Sequence, residues 1–519
     1  MAMQPIQFGP FKSGMVNTTD IAAIPDDALY ECTNFDFDID GSLVSRPPIV
    51  PFAAPPTGHE DDDSQPHGYY VRDDGVTSLV VTVGDATFLL GVASKVWTQI
   101  WDKPASGFVQ YNNKVVLISE VAAGGYWEAG TFTATPTMPL GSQIVFYQER
   151  LWAYGQKGTA LSTTVWFSKL TVISPPSTIW DWAPSDDFFL VGPGDGQWIT
   201  NIVADSNALL IFRNLSTWQF TYPTSPLQGT LRQLNPTVGA ENKHSVVRYE
   251  SYYFVLNQGY LYQFINYQYY PLNMKKVNLE RTTLSNGLAA DYRVSLFGTK
   301  VIVWYLGSTF VYNIITGTWS RWVSIQTRGA QFFMMPPDPT QGDARVALAV
   351  SGENDRFGVF RIQEDPLALP PGEEMDCFVQ TKAYALEQSS RHKRLTLWMA
   401  EITSANGATG YLSPSGLPID GVDWDSMADP TLAPDGWDTL AQGTWDNPLI
   451  LSTNIVDPVP FPAQGPFRQV IKFVRDIRFI RTYFEVRIPN DGTVRTGPVR
   501  IYSITPYLRI AAGTSKKVS

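Results

Sequence analysis

TKVIVWYLGSTFVYNIITGTWSRW, residues 299–322, is the stretch whose reading decides the fold. An aliphatic run opens it, a short polar turn follows, and an aromatic-rich run comes next. β-Branched and aromatic residues cut by glycine-bearing turns read as strands, because such side chains pack well on a pleated surface. Six further stretches repeat the phrase: SLVVTVGDATFLLGV, NKVVLISEVAAGGYWEAG, ERLWAYGQKGTALSTTVWFSK, NALLIFRNLSTWQFTY, ESYYFVLNQGYLYQF and ARVALAVSGENDRFGVFRI. Anchored on its second apolar position, the series runs Val80, Val116, Trp152, Leu210, Phe254, Val303 and Ala349. Successive anchors lie roughly 35 to 60 residues apart, near the length of a four-stranded propeller blade. An isolated hairpin is marginal in water and must stack on neighbours, and radial stacking around an axis leaves only short edges. The expectation is an all-β chain with a β-propeller of about six to eight blades over residues 67–365. No WD dipeptide pattern marks the repeats.

Composition agrees. Of 519 residues, 44% are hydrophobic, 13% aromatic and 17% charged, with 40 Gly and 38 Pro. The length suggests more than one domain. Residues 1–66 are expected to form an extended N-terminal segment ending in a Pro-rich, acidic linker, PFAAPPTGHEDDDSQP at 51–66. PLALPPGEEMD at 366–376 reads as a second linker. Beyond it, CFVQTKAYAL, HKRLTLWMAEI, FRQVIKFVRDIRFIRTYFEVRI and VRIYSITPYLRI read as strands of a C-terminal β-sandwich-like domain, 366–519, with 410–467 as a long insertion. Long insertions usually serve an interface or a function.

Net charge is −11, which argues against phosphate gripping by counterion release and suits a surface past which DNA slides. The two cysteines, Cys32 and Cys377, are too few for a disulfide framework and read as buried thiols. The first residues carry no basic region followed by an apolar one, and no apolar run reaches membrane-spanning length, so synthesis and folding in a cytoplasm are expected.

Catalytic patterns are sparse. Four histidines occur, His59, His67, His244 and His392, with no G-x-S-x-G elbow, phosphate loop or zinc spacing. His59-Glu60-Asp61-Asp62-Asp63 with His67 has metal-ligand chemistry, but it lies in a Pro-rich loop that offers no rigid support and reads as solvated. His392, in Arg391-His392-Lys393-Arg394, reads as a basic strand start. Asp36, Asp38 and Asp40 alternate as in a calcium loop, yet the twelfth position is Pro47 rather than Glu; strand and turn is the favoured reading. Residues 410–467 hold eight Asp and no Glu, Lys or Arg, whereas 468–519 hold eleven Lys plus Arg against three acids. Asp423, Trp424, Asp425, Trp437 and Trp445 on one side, with Arg475, Arg478 and Arg481 on the other, are interface candidates that would pair across subunits or within one. The carboxylates of 420–446 leave a glycosidase pair open, and the exposed-loop tryptophans leave sugar stacking open. No cofactor or metal is expected.

The N-terminal words resemble the opening of propeller-type tail proteins of bacteriophages. They are Phe11-Lys12-Ser13-Gly14-Met15-Val16-Asn17, Ile24-Pro25-Asp26-Asp27-Ala28-Leu29, Cys32-Thr33-Asn34-Phe35-Asp36-Phe37-Asp38 and Asp40-Gly41-Ser42-Leu43-Val44-Ser45-Arg46-Pro47. Pro48 stands where glycine is more usual. Thr381-Lys382-Ala383-Tyr384, Lys393-Arg394-Leu395, Arg478-Phe479-Ile480-Arg481 and Val499-Arg500-Ile501-Tyr502 resemble the same proteins' C-terminal domain. The resemblance covers both ends and implies a non-enzymatic structural protein of the virion tail. Its nozzle type forms a homo-oligomeric, six-copy ring around the DNA ejection channel, with other tail proteins as partners and no sequence-specific DNA binding. A minor tail or tail-tip protein binding host-surface glycan, and a propeller glycoside hydrolase, are the alternatives.

Overall fold

The computed structural model describes residues 3–5, 9–18, 23–171, 178–273, 276–277, 279, 292–305, 308–323, 330–336, 346–351, 358–362, 375–381, 384–385, 393–403, 409–418, 459–460, 466–469, 477–488 and 500–510. Strands dominate these residues; the helical exception is one 3₁₀ turn, Pro226–Gln228.

Seven antiparallel four-stranded units follow one another. Blade 1 runs Ser64–Val71, Thr77–Val83, Ala86–Gly91 and Trp97–Trp101; blade 2 runs Gly107–Tyr111, Lys114–Ile118, Gly125–Glu128 and Thr131–Ala134. Blade 3 is Gln143–Tyr147, Arg150–Tyr154, Thr164–Phe167 and Phe188–Leu190. Blade 4 is Ile199–Ala204, Leu209–Arg213, Thr217–Thr221 and Thr230–Asn235, and blade 5 is Val246–Tyr249, Tyr252–Asn257, Tyr260–Ile265 and Gln268–Pro271. Arg293–Phe297, Lys300–Tyr305, Ser308–Asn313 and Thr318–Trp322 make blade 6. Blade 7 takes three strands from its own stretch, Gln331–Met335, Val346–Ser351 and Gly358–Ile362. Its fourth, Ile49–Ala53, comes from the N-terminal segment and pairs antiparallel with Gly358–Ile362. The first strands of successive blades lie side by side, blades 4 and 5 being joined by a cluster that includes Leu210, Phe212, Tyr253 and Phe264. Gln331–Met335 returns to Ser64–Val71, so the ring closes: the chain is a seven-bladed β-propeller.

The seven anchor residues fall one in the second strand of each blade. The reason is packing. A second strand is buried on both faces: Val80 packs toward blade 2 with Val115 and Leu117, while Leu79 and Val81 pack toward blade 7 with Leu348 and Val350. Burial on both faces makes such a strand a continuous apolar run rather than an alternating one. Most blade-to-blade joints are separate buried apolar clusters, for example Ile144, Leu151 and Trp166 against Val116 and Ile118 between blades 2 and 3, whereas the joint of blades 5 and 6 is continuous with the sandwich core.

Two further sheets hold the C-terminal residues. One prolongs blade 6: Thr318–Trp322 meets Ala28–Thr33, then follow Met375–Thr381, Ile477–Ile488 and Thr409–Pro418. The other orders Pro466–Gln469, Lys393–Thr403, Arg500–Ile510, Leu43–Ser45 and Phe35–Phe37. The sheets face each other as a sandwich, with Cys32, Cys377 and Val379 of the first buried in one cluster with Phe35, Leu43, Ile501 and Ile504 of the second. The boundary expected at 66/67 falls inside the first strand of blade 1, and 49–53 belongs to the propeller rather than to a linker. Pro51 lies in that strand, and proline is tolerated there because an outermost strand needs to donate on one side only. Thr409–Pro418 likewise carries the sandwich into the stretch expected to be an insertion.

Candidate functional site: an interdomain clasp and a closed axis

The N-terminal words occupy the seam between propeller and sandwich. Asn34 adopts a left-handed backbone (φ 57), which asparagine tolerates better than most residues. Its side-chain oxygen accepts from Arg46 Nε at 2.9 Å and from the Val323 amide at 2.7 Å, while its own amide donates to the Arg321 carbonyl at 2.7 Å. Arg46, 2% exposed, also donates to the Pro47 carbonyl at 3.0 Å. Asp36 reaches into blade 6: Oδ1 accepts from Trp322 Nε1 at 2.9 Å and Ser320 Oγ at 3.3 Å, and Oδ2 pairs with the Lys300 ammonium. Phe35 and Phe37, on either side of it, enter the sandwich core. Asp38 pairs with Arg500 at 2.8 Å.

The turn that follows is fixed by Gly41, whose φ of 85 suits glycine and whose absent Cβ would meet Pro10 at 2.8 Å. Asp40 caps this turn, accepting from the Ser42 amide at 2.7 Å, and those Ser42 hydrogen bonds hold its carboxyl below the usual range. Upstream, Ser13 Oγ donates to Asp27 Oδ1 at 2.7 Å and the Asn17 amide donates to the Lys276 carbonyl at 2.8 Å. Glu31 pairs with Arg321 at 2.9 Å; burial pushes its carboxyl up and the guanidinium opposes that. The Cys32 thiol is raised by burial, and both cysteines are buried and unbridged. The three aspartates therefore diverge, to Lys300, to Arg500 and to their own turn, as a strand and turn require and a calcium loop would not.

The propeller axis is the second feature. Gln65, on the first strand of blade 1, meets His244, just before blade 5, with nitrogens 3.2 Å apart. Lys243 Nζ donates to the Ser106 carbonyl beside blade 2 at 2.5 Å, and Asn201 of blade 4 donates to the Lys243 carbonyl at 2.7 Å. Blades 1 and 5, like 2 and 5, are not neighbours in the ring, so these contacts span the axis. His67 Nε2 lies 2.8 Å from Thr82 Oγ1. Enclosure, with Lys243 and Arg293 nearby, pushes His67 down to about 3; the same causes take His244 well below its ordinary value. Both rings are neutral at pH 7.

His59 Nδ1 sits 2.7 Å from Asp62 Oδ2 and its ring lies edge-on to Phe88, which ties the acidic loop to blade 1. Among the described residues no three His, Cys, Asp or Glu side chains form a metal-holding group. Asp423, Trp424, Asp425, Trp437, Trp445, Arg475 and His392 lie outside the described residues. Arg478 and Arg481 lie on Ile477–Ile488, whose backbone pairs with Met375–Thr381 and Thr409–Pro418. Sequence reading missed Lys300 and Trp322 as clasp partners, and it missed the meeting of His67, His244 and Lys243. Only the isolation of Arg46 between a serine and two prolines hinted at a buried guanidinium.

No protein-family model and no curated protein sequence matches the chain. Among solved structures it is similar to the extracellular domain of the putative one component system BT4673 from B. thetaiotaomicron, at 10% identity and TM-score 0.41 over 68% of this chain. The chain spans 42% of that protein's length. It is also similar to the WD40 domain of Neurospora crassa Pan2 (10% identity, TM-score 0.39, 62% of this chain and 96% of that one). The WD40 β propeller domain of Doa1 overlaps at 8% identity and TM-score 0.41, covering 61% of this chain and 98% of that one. The propeller assignment rests on the strand connectivity of this chain itself.

Proposed function

We propose that this chain is a structural, non-enzymatic component of a bacteriophage tail, a subunit of a nozzle-type ring through which the genome leaves. One observation carries the reading. The N-terminal words that resemble tail proteins are spent on joining two modules: Asn34, Asp36 and Arg46 tie the segment to blade 6, while Asp38 and Gly41 hold the same segment within the sandwich and against Pro10. Residues used this way serve rigidity and orientation rather than chemistry. The spanned blade axis adds a constraint, since DNA would have to pass between subunits and not along the propeller of one subunit. The −11 charge suits walls that repel the passing strand.

Negative-stain electron microscopy of the purified protein, beside virions labelled with an antibody to it, tests the proposal. A ring with a central hole, and label at the tail, is the expected result. A monomer with no tail label would overturn it, and sugar binding would then become the leading reading.

A further inference from the structure

Residues 251–274 carry seven of the chain's 24 tyrosines and no Asp, Glu, Lys or Arg, although 17% of the chain is charged. This stretch supplies the second to fourth strands of blade 5, Tyr252–Asn257, Tyr260–Ile265 and Gln268–Pro271. Successive side chains of a strand point to opposite faces, so Tyr260, Tyr262 and Phe264 share one face, and Tyr269, the register partner of Phe264, shares it with them. That face looks toward blade 4, where Phe264 and Tyr269 pack with Leu210 and Phe212. The rings form a continuous file. Between ring centres it runs 6.2 Å from Tyr260 to Tyr262, 5.7 Å on to Tyr269, 4.6 Å to Phe264 and 6.3 Å to Tyr267. Its inner members serve packing, but its ends reach solvent: Tyr260 and Tyr267 are 37% and 40% exposed. Tyr267 also stands where glycine is favoured. With Asn266 it turns the chain between the last two strands at φ 62 and 50, a left-handed pair. Its hydroxyl accepts from Gln219 Nε2 of blade 4 at 3.0 Å, which steadies the exposed ring. The aliphatic Val255, Leu256 and Leu261 of the same stretch are buried, leaving rings and amides at the surface. On the facing strands of blade 4, Thr217–Thr221 and Thr230–Asn235, Arg232 is the one charged residue.

We infer that this file of rings on blade 5 binds a neutral polysaccharide chain, with Tyr260 and Tyr267 stacking on its sugar rings and Gln219 beside them. An aromatic face carries partial negative charge and attracts the polarised C–H bonds of a sugar. Phenol and amide groups match its hydroxyls as donors and acceptors. One arginine does not grip a polyanion, whose charges call for several cations. The file follows a six-residue strand from end to end, roughly 20 Å, so it suits several linked sugars rather than one. The platform belongs to a single subunit and does not require the proposed ring.

Native gel electrophoresis of the full chain through dextran, mannan and galactan, with polygalacturonate as the charged counterpart, reads this out. At least one neutral polymer should retard the protein saturably. Tyr260→Ala and Tyr267→Gly should each weaken that retardation about tenfold, the worth of one ring contact. Glycine suits the left-handed turn, so Tyr267→Gly should keep its fold. Tyrosine nitration followed by mass spectrometry needs no variant. The retarding polymer should shield Tyr260 and Tyr267 and leave two other exposed tyrosines as reactive as before: Tyr69 of blade 1, 42% exposed, and Tyr270 on the opposite face of blade 5, 53% exposed. No retardation by any neutral polymer, retardation by polygalacturonate alone, undiminished retardation of both variants, or equal shielding of all four tyrosines would each overturn the proposal. A changed subunit number in Tyr267→Gly would also overturn it, by marking the strip as a contact between copies.

Discussion

The joints between blades rest on apolar packing, and the joint between propeller and sandwich adds directional polar contacts to packing of the same kind. Between blades 3 and 4 the contact is apolar: Trp152, fully buried, packs within 5.3 Å of Phe167, 5.7 Å of Phe220 and 5.6 Å of Tyr222, ring centre to ring centre. Such contacts are non-directional, so any well-shaped hydrophobic set serves, and volume-conserving exchanges are tolerated. The propeller-to-sandwich seam shares one apolar cluster, with Val303, Phe310 and Trp319 beside Leu29, Phe35 and Leu43, and it is further set by directional contacts. Asn34 must be left-handed and must accept twice; Asp36 must satisfy a lysine, an indole and a hydroxyl together. The contrast explains why the blades carry no shared dipeptide signature while the N-terminal segment reads as words. Packing leaves identities loose, and hydrogen-bond geometry fixes them.

Four changes would break or sharpen this contrast. Trp152→Ala should cost about 4 kcal/mol in denaturant unfolding, because it leaves a cavity between two blades. A loss under about 1 kcal/mol would mean that the aromatic cluster is not what joins them. Asp36→Ala should cost about 3 kcal/mol, since it strands the half-buried Lys300 ammonium and the Trp322 indole. Adding Lys300→Met should recover part of that; strictly additive effects in the double-mutant cycle would show the pair to be uncoupled. Acid should weaken the axis. The folded pKa values of His67, about 3, and His244 lie below the unfolded value, so their contribution is complete above pH 6.5 and is lost as pH falls through that value toward 3. Between pH 7 and pH 5 the His67 ring should cost about 2 kcal/mol, and His244→Gln should flatten the slope of stability against pH. Smallest of all, Asp38→Asn should cost less than about 1 kcal/mol, and raised salt should shrink it, because Asp38 and Arg500 are each more than a third exposed, at 38% and 36%.

The sequence made the propeller visible through its second strands. They are buried on both faces, and each therefore stands out as an unbroken apolar run around Val80, Val116, Trp152 and their successors. The strand Ile49–Ala53 was hidden for the opposite reason: its proline and short length resemble a linker, and its partner Gly358–Ile362 lies roughly 300 residues away. Alternation of Phe and Asp after Asn34 made a strand legible, but nothing local shows that alternate aspartates serve different modules. The axial cluster was equally hidden, since Gln65 and His244 meet across a ring and each alone is an ordinary polar residue.

The seventh blade has a consequence for the chain during its synthesis. Ile49–Ala53 leaves the ribosome early, and the strand it must pair with follows only after roughly 300 residues, which at about 5–20 residues per second means a wait of roughly 15 to 60 s. For that interval the strand is an unpaired edge, and neighbouring chains being made on the same message carry identical ones. Pro51 and the Glu60-Asp61-Asp62-Asp63 run just beyond it deny such edges an easy mutual pairing. The circle is thus also a clock: its last bond waits for the chain's own later half, and the residues that looked like a linker guard the delay.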